Sequence, residues 1–177
     1  NHLFRVLNNT INYVVLRNFE SFGQEEIKGD IDILTSSPKD LQIILKAKKI
    51  HRNNRRSAYT IKINNKNVFI DIRYLNDGYY DTNWQLDMLQ NRYLCDDGYY
   101  ILDSQNYFYS LLYHAMLHKS SFSLLYKERL EGMVEFLKYK KHISKKENWK
   151  NILNNFLLEK KYKITIPKDY SVFFNFN

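Results

Sequence analysis

Short apolar runs broken by polar clusters organise the first half of the chain. Residues 2 to 9 predict a short helix, and "YVVLR" at 13 to 17 predicts a buried strand. The segment "NFESFGQEEIKG" carries turn residues and charge, which predicts a surface loop leading to a second strand at 30 to 35. "SSPKDLQIILKAKKI" then opens with Ser37 as an N-cap and Pro38 at the first helical position, and Leu41, Ile44 and Leu45 recur at helical spacing. A helix over about 38 to 49 is expected. "SAYTIKIN" and "NVFIDIRYL" alternate and are joined by "NKN", a hairpin pattern in which Val68, Ile70 and Ile72 share one face and Phe69, Asp71 and Arg73 the other.

After residue 80 the pattern turns helical. "DTNWQLDMLQNRY" predicts a short helix, and "YYILDS" a brief extended piece whose Ser104 caps the helix "QNYFYSLLYHAMLHKS". Two further helices fit 126 to 141 and 145 to 160, the second opened by Ser144 with Glu147 three positions on as a capping box. The tail "YKITIPKDYSVFFNFN" fits either a strand or an ordered arm. The expected fold class is α+β, a mixed sheet with flanking helices over residues 1–80 followed by a helical subdomain over 81–177 packed on it.

Composition narrows the function. A chain of 177 residues with 44% hydrophobic and 16% aromatic content has ample material for a core. No stretch of about 18 apolar residues occurs, so no membrane span is expected, and no charged-then-apolar leader segment opens the chain. It begins at Asn1 rather than Met, which fits a trimmed chain or a piece of a longer polypeptide. The single cysteine, Cys95, excludes an internal disulfide framework and a cysteine zinc cluster, and a cytoplasmic setting is the default. A net charge of +8 favours an anionic partner. The basic clusters "KAKKIHRNNRR" and "KYKKHISKK" read as solvated helix ends and loops, and no RNA-binding aromatic signature or zinc-finger spacing makes nucleic acid the favoured partner.

The chemistry concentrates in "GDIDIL". In a strand, Asp30 and Asp32 point to one face while Ile31 and Ile33 point to the core. Two like charges at that spacing repel, and a divalent cation between them reverses the sign of the interaction. Asp71 is a third strand carboxylate, and three such groups suit two-metal phosphoryl or nucleotidyl transfer.

An apolar strand, a polar loop, Asp-Ile-Asp in a strand, a helix and then an apolar-Asp-apolar strand together resemble the nucleotidyltransferase fold shared by DNA polymerase β-like and aminoglycoside nucleotidyltransferases. The resemblance covers residues 13 to 75 best. It implies Asp30, Asp32 and Asp71 as catalytic carboxylates and ligands of Mg²⁺ or Mn²⁺, with Asp71 beside the acceptor hydroxyl. It implies a nucleoside triphosphate or nucleotide-activated donor, with Arg17, Asn18, Lys28 and Arg73 as its binding residues. Where such enzymes carry Gly-Gly or Gly-Ser at the end of the first strand, this chain has Arg17-Asn18. Arg17 is accordingly expected to turn toward the loop and meet a substrate phosphate, the competing arrangement being an Arg17 that neutralises the aspartates.

The form "LRNFE…GDIDIL" with a later "LLYHAMLHK" looks most like nucleotidyltransferase-like proteins of bacterial surface polysaccharide synthesis, and more faintly like phosphocholine transferases with a comparable Asp-Ile-Asp. That implies a sugar or glycan acceptor. The alternative class is a non-catalytic module of the same fold that positions partner domains in a polysaccharide-assembly protein. A toxin–antitoxin nucleotidyltransferase is disfavoured by the missing Gly-Ser. Other candidates have structural explanations. His114 and His118 sit four apart on one helix face without a third ligand, which suits packing under Tyr113 and Tyr109, with Lys119 beside them as a candidate phosphate contact. Phe108, Leu111, Leu112, Ala115 and Met116 form a core stripe, Trp84 and Trp149 anchor helices, and Cys95 lacks an adjacent base.

Overall fold

The computed structural model describes residues 2–19, 30–52, 56–63, 66–137, 146–169 and 171–175. Helix α1 (His2–Thr10) leads to strands β1 (Tyr13–Arg17) and β2 (Ile31–Thr35), helix α2 (Pro38–Ile44), and strands β3 (Lys48–Arg52), β4 (Arg56–Ile63) and β5 (Lys66–Tyr74). Helix α3 (Thr82–Gln90), strands β6 (Tyr93–Leu94) and β7 (Tyr100–Ile101), and helices α4 (Ser104–Leu117), α5 (Leu124–Leu137) and α6 (Lys146–Lys160) follow. Seven strands form one mixed sheet in the order β3-β4-β5-β2-β1-β7-β6, with β2 parallel to β5 and antiparallel to β1. Strands β6 and β7 come from beyond residue 80, so the sheet is not confined to residues 1–80.

Alternation along the central strands divides the core in two. Tyr13, Val15, Ile31, Ile33, Val68 and Ile70 pack with Phe4 and Leu7 of α1 and with Leu41 and Leu45 near α2. Val14, Leu16 and Leu34 pack on the other side against Trp84 and Met88 of α3, Phe108 and Leu112 of α4, and Trp149 and Phe156 of α6. Both tryptophans are fully buried, as helix anchors should be, and the stripe on α4 is core.

Several local expectations give way to tertiary context. The helix expected to run to about 49 ends at Ile44, because Lys46 takes a left-handed φ of 50° and Lys48–Arg52 pairs antiparallel with β4, Ile50 opposite Ala58. Helical spacing in "LQIIL" does not report that an unfilled sheet edge lies next in the chain. Ser37 makes no side-chain cap bond; its amide donates to Thr35 Oγ1 at 3.1 Å instead. Helix α4 is capped not by Ser104 but by Asp103, whose carboxylate accepts from the amides of Gln105 and Asn106 at 2.9 and 3.0 Å. Asp81 caps α3 in the same way. The capping residue Ser144 and the end of the helix expected to reach 141 lie outside the described residues, as do Asn64 and Asn65 of the hairpin turn.

The tail is an arm. The amide of Lys168 donates to Asp77 O at 2.9 Å, the Tyr113 hydroxyl bonds Thr165, and the amide of Asn175 donates to Leu117 O at 2.8 Å. No helix among the described residues is long and apolar enough to cross a membrane.

Candidate functional site

The parallel pairing of β2 with β5 sets Asp32 directly opposite Asp71, on the sheet face that carries Leu34 and Arg73. Two carboxylates, 6% and 3% exposed, therefore stand on neighbouring strands with side chains on the same side. Asp30 precedes β2 rather than lying within it. Its carbonyl accepts from Asn18 Nδ2 at 2.8 Å, and its residue lines the same cleft as Asp32 and Asp71.

Arg17 reaches this face through a break in register. Val15 pairs with Ile33 and Arg17 with Asp32, so Leu16 and Arg17 together oppose a single residue of β2. Strict alternation would send Arg17 to the side of Tyr13 and Val15, and the bulge re-aims it beside the aspartates. There Nε donates to Asp32 Oδ2 at 2.9 Å and Nη2 to Oδ1 at 3.1 Å, a bidentate pair sealed at 5% exposure of the arginine. Nη2 also donates to the Tyr79 hydroxyl at 2.6 Å and Nη1 to the Tyr80 hydroxyl at 3.2 Å. Burial is the largest single influence and works against the guanidinium's charge, but Asp32, Tyr79 and Tyr80 together outweigh it and hold Arg17 charged above its ordinary range. The expectation that Arg17 turns toward the loop is thus corrected: a carboxylate one strand away is a stronger partner than solvent for a buried guanidinium.

Arg73 repeats the theme less tightly. Its guanidinium stands 3.9 Å from both Asp71 and Asp77, donates to Asp169 at 3.1 Å and to Ser171 Oγ at 2.9 Å, and lies 4.2 Å over the Tyr79 ring. The arm is therefore tied to the site. Tyr79 in turn stands 2.8 Å from His114 Nδ1. Burial, reinforced by Arg17 and His118, pushes the imidazole of His114 well below its usual range, and burial with Arg17 and Arg73 does the same to His118. Of the expected packing under Tyr113 and Tyr109, Tyr113 meets His118 edge to face, Tyr109 stacks on Phe156, and Tyr79 contacts both histidine rings.

These groups line a cleft of about 460 Å³. Asp30, Asp32, Asp71, Arg17, Asn18 and Arg73 all contribute, so the structure brings together every expected site residue except Lys28, which lies outside the described residues. Lys119 and Arg129 add to the cationic lining, so that among the described residues four cationic side chains face three carboxylates. Sequence reasoning missed Tyr79, Tyr80 and Arg129. The tyrosines follow Gly78, whose φ of 80° turns the chain after β5 back across the site, and "DGYY" was the available signal.

The donor chemistry of the carboxylates suits a hard divalent ion, but their engagement does not. Both Asp32 oxygens are bonded to Arg17, Asp71 faces Arg73, and among the described residues no group of three or more His, Cys, Asp or Glu is disposed to hold a metal. In this arrangement a cation at Asp32 would meet a guanidinium, so the three aspartates as placed do not form a divalent-ion site.

No protein-family model and no curated protein sequence matches the chain. Among solved structures it is similar to an antigenic nucleotidyltransferase-like protein from Paracoccidioides brasiliensis, with a TM-score of 0.52 and 10% identity over 90% of this chain and 86% of that one. At that identity the likeness speaks to architecture, and the architecture of this chain is nucleotidyltransferase-like.

Proposed function

We propose that the cleft binds the phosphates of a nucleoside triphosphate or nucleotide-activated donor and transfers a nucleotidyl or related phosphoryl-linked group to a hydroxyl of a small-molecule, sugar or glycan acceptor. The observation that carries the reading is the in-register pair Asp32 and Asp71 in a cleft also lined by Arg73, Arg129 and Lys119. Cations in the lining would offset the charge of a polyphosphate, and a carboxylate beside them would accept a proton. In the transfer the acceptor oxygen forms a bond to phosphorus, the bond to the leaving phosphate breaks, and the acceptor proton passes to Asp71. A Mg²⁺ or Mn²⁺ requirement belongs to this reading only if Arg17 releases Asp32 when the donor binds.

One observation favours a second reading. Arg17 supplies internally the positive charge that Asp32 would otherwise take from a metal, as expected of a non-catalytic nucleotide-binding module that positions a partner domain. Calorimetry with ATP and with nucleotide sugars, each with and without Mn²⁺, followed by mass spectrometry for a transferred group, separates the two. Nucleotide binding with transfer, whether or not Mn²⁺ is needed, supports the first reading, while metal-independent binding without transfer supports the second. No nucleotide binding under any condition refutes both.

A further inference from the structure

His114 occupies the cleft lining with one ring nitrogen committed and the other not. The commitment is fixed by proton bookkeeping along a chain of hydrogen bonds. Arginine cannot accept, so Arg17 Nη2 donates to the Tyr79 oxygen. The Tyr79 hydroxyl then has one proton to give, and the acceptor within reach is His114 Nδ1. Assigned from this network, the neutral ring carries its own proton on Nε2. The chain Asp32, Arg17, Tyr79, His114 therefore locks the tautomer from the buried aspartate outward.

Nε2 is the nitrogen left for a ligand. The buried polar atoms without a partner include both nitrogens of His118 but not Nε2 of His114, whose ring lines the cleft at 7% exposure. An N–H donor calls for an acceptor. With Arg17, Arg73, Arg129 and Lys119 lining the same cleft, the acceptor that suits the surroundings is an anionic oxygen. A neutral donor there adds a hydrogen bond without adding to the repulsion among the cations.

We infer that His114 is a phosphate-binding residue of this cleft, donating from Nε2–H to an oxygen of a polyphosphate, with Tyr79 as the positioning residue that fixes its tautomer. The inference rests on the reading of the cleft as a nucleotide-phosphate site and names a residue of that site which neither the carboxylate motif nor the fold likeness assigns.

The test uses inorganic tripolyphosphate as the probe, at pH 7.5 and low salt, with the full chain. Calorimetry on the wild type, His114→Phe and His114→Gln should show about tenfold weaker binding for the phenylalanine variant, the order expected for a hydrogen bond to a charged group, and partial recovery by the glutamine, which restores an N–H. Nitrogen-15 NMR of the wild-type histidines should show His114 protonated at Nε2, with that resonance moving on addition of tripolyphosphate. Tyr79→Phe should redistribute the tautomer. Because the NMR arm needs no variant, it decides the matter even where His114→Phe does not fold. Wild-type binding that His114→Phe leaves unchanged, an unmoved Nε2 resonance, or a ring protonated at Nδ1 overturns the assignment alone. Absence of tripolyphosphate binding to the wild type overturns the assignment and the phosphate-site reading together.

Discussion

Replacing Asp32 by asparagine tests whether the buried pair with Arg17 exists in solution. Without the pair, an aspartate crowded by Asp30 and Asp71 is an electrostatic burden, so neutralising it should be harmless or stabilising. The sequence alone supports that sign. The structure reverses it. Arg17 and Asp32 are both nearly sealed, and their two hydrogen bonds of 2.9 and 3.1 Å are what makes the arginine's burial tolerable. In Asp32→Asn the charge disappears and the amide NH₂ faces a guanidinium N–H, donor against donor. Breaking one side of a buried pair typically costs about 3–5 kcal/mol, and the near-isosteric asparagine places this change at the lower end, about 3 kcal/mol. For a domain of this size that is roughly a 6–12 °C fall in Tm. Arg17→Met should cost about as much, since it strands Asp32 and takes a donor away from two tyrosine hydroxyls. The double variant should cost well under the sum, with a coupling of about 2 kcal/mol or more. Urea unfolding of the four proteins, with m unchanged, measures all three quantities. An Asp32→Asn protein within about 0.5 kcal/mol of wild type, or additive single changes, would refute the pairing and return Arg17 to the loop.

Two other perturbations check neighbouring parts of the structure. His114 and His118 are held neutral when folded, whereas an unfolded histidine binds its proton near pH 6.5, so the stability they confer is complete above about 6.5 and declines as pH falls toward the folded values. The unfolding free energy from urea melts should drop between pH 7.5 and 5.5, by at most about 1.4 kcal/mol per pH unit for each histidine, and His118→Phe should flatten the slope; a free energy independent of pH over that range contradicts the burial of both rings. Gly78→Ala would place a Cβ 2.4 Å from the carbonyl oxygen of Ile166 at a backbone φ of 80°, so it should destabilise by about 1–3 kcal/mol and speed hydrogen exchange at the Lys168 amide, which bonds Asp77; unchanged exchange would mean the arm does not lie against this turn.

The legible parts of the fold were those in which the chain's own period matches its surroundings. "YVVLR" and "IDILT" are apolar because both faces of the central strands are covered, and the Asp32 and Asp71 positions followed from parity alone. The edge elements were not legible. Strand β3 is Lys-Lys-Ile-His-Arg, which carries no period-two signal beyond Ile50, and it exists because β4 offers it a ladder. Strands β6 and β7 are two residues each, too short for any period. The cap of α4 moved by one residue because aspartate and serine stand side by side, and Asp103 is the one that takes the non-helical backbone.

At the site the limit is of a different kind. A period of two assigns faces only while the register holds, and one extra residue exchanges them. Here that residue lies between Val15 and Arg17, within a run that reads as uniformly buried. No feature of "YVVLR" marks it. Yet the bulge decides whether the arginine lies with Tyr13 and Val15 among apolar side chains, or on the face of Asp32. Among the described residues the core on the side of Tyr13 and Val15 is a hydrophobic cluster without a carboxylate; the other face has a carboxylate and two hydroxyls within 3.2 Å of the guanidinium. An unpaired buried charge costs several kcal/mol, far more than the ladder bond disturbed by a bulge, so the arginine's need for a partner outweighs regular pairing. The same three residues that shape the strand end, Arg17, Asp32 and Tyr79, then fix the proton on His114, and a local irregularity of the backbone becomes a property of the cleft.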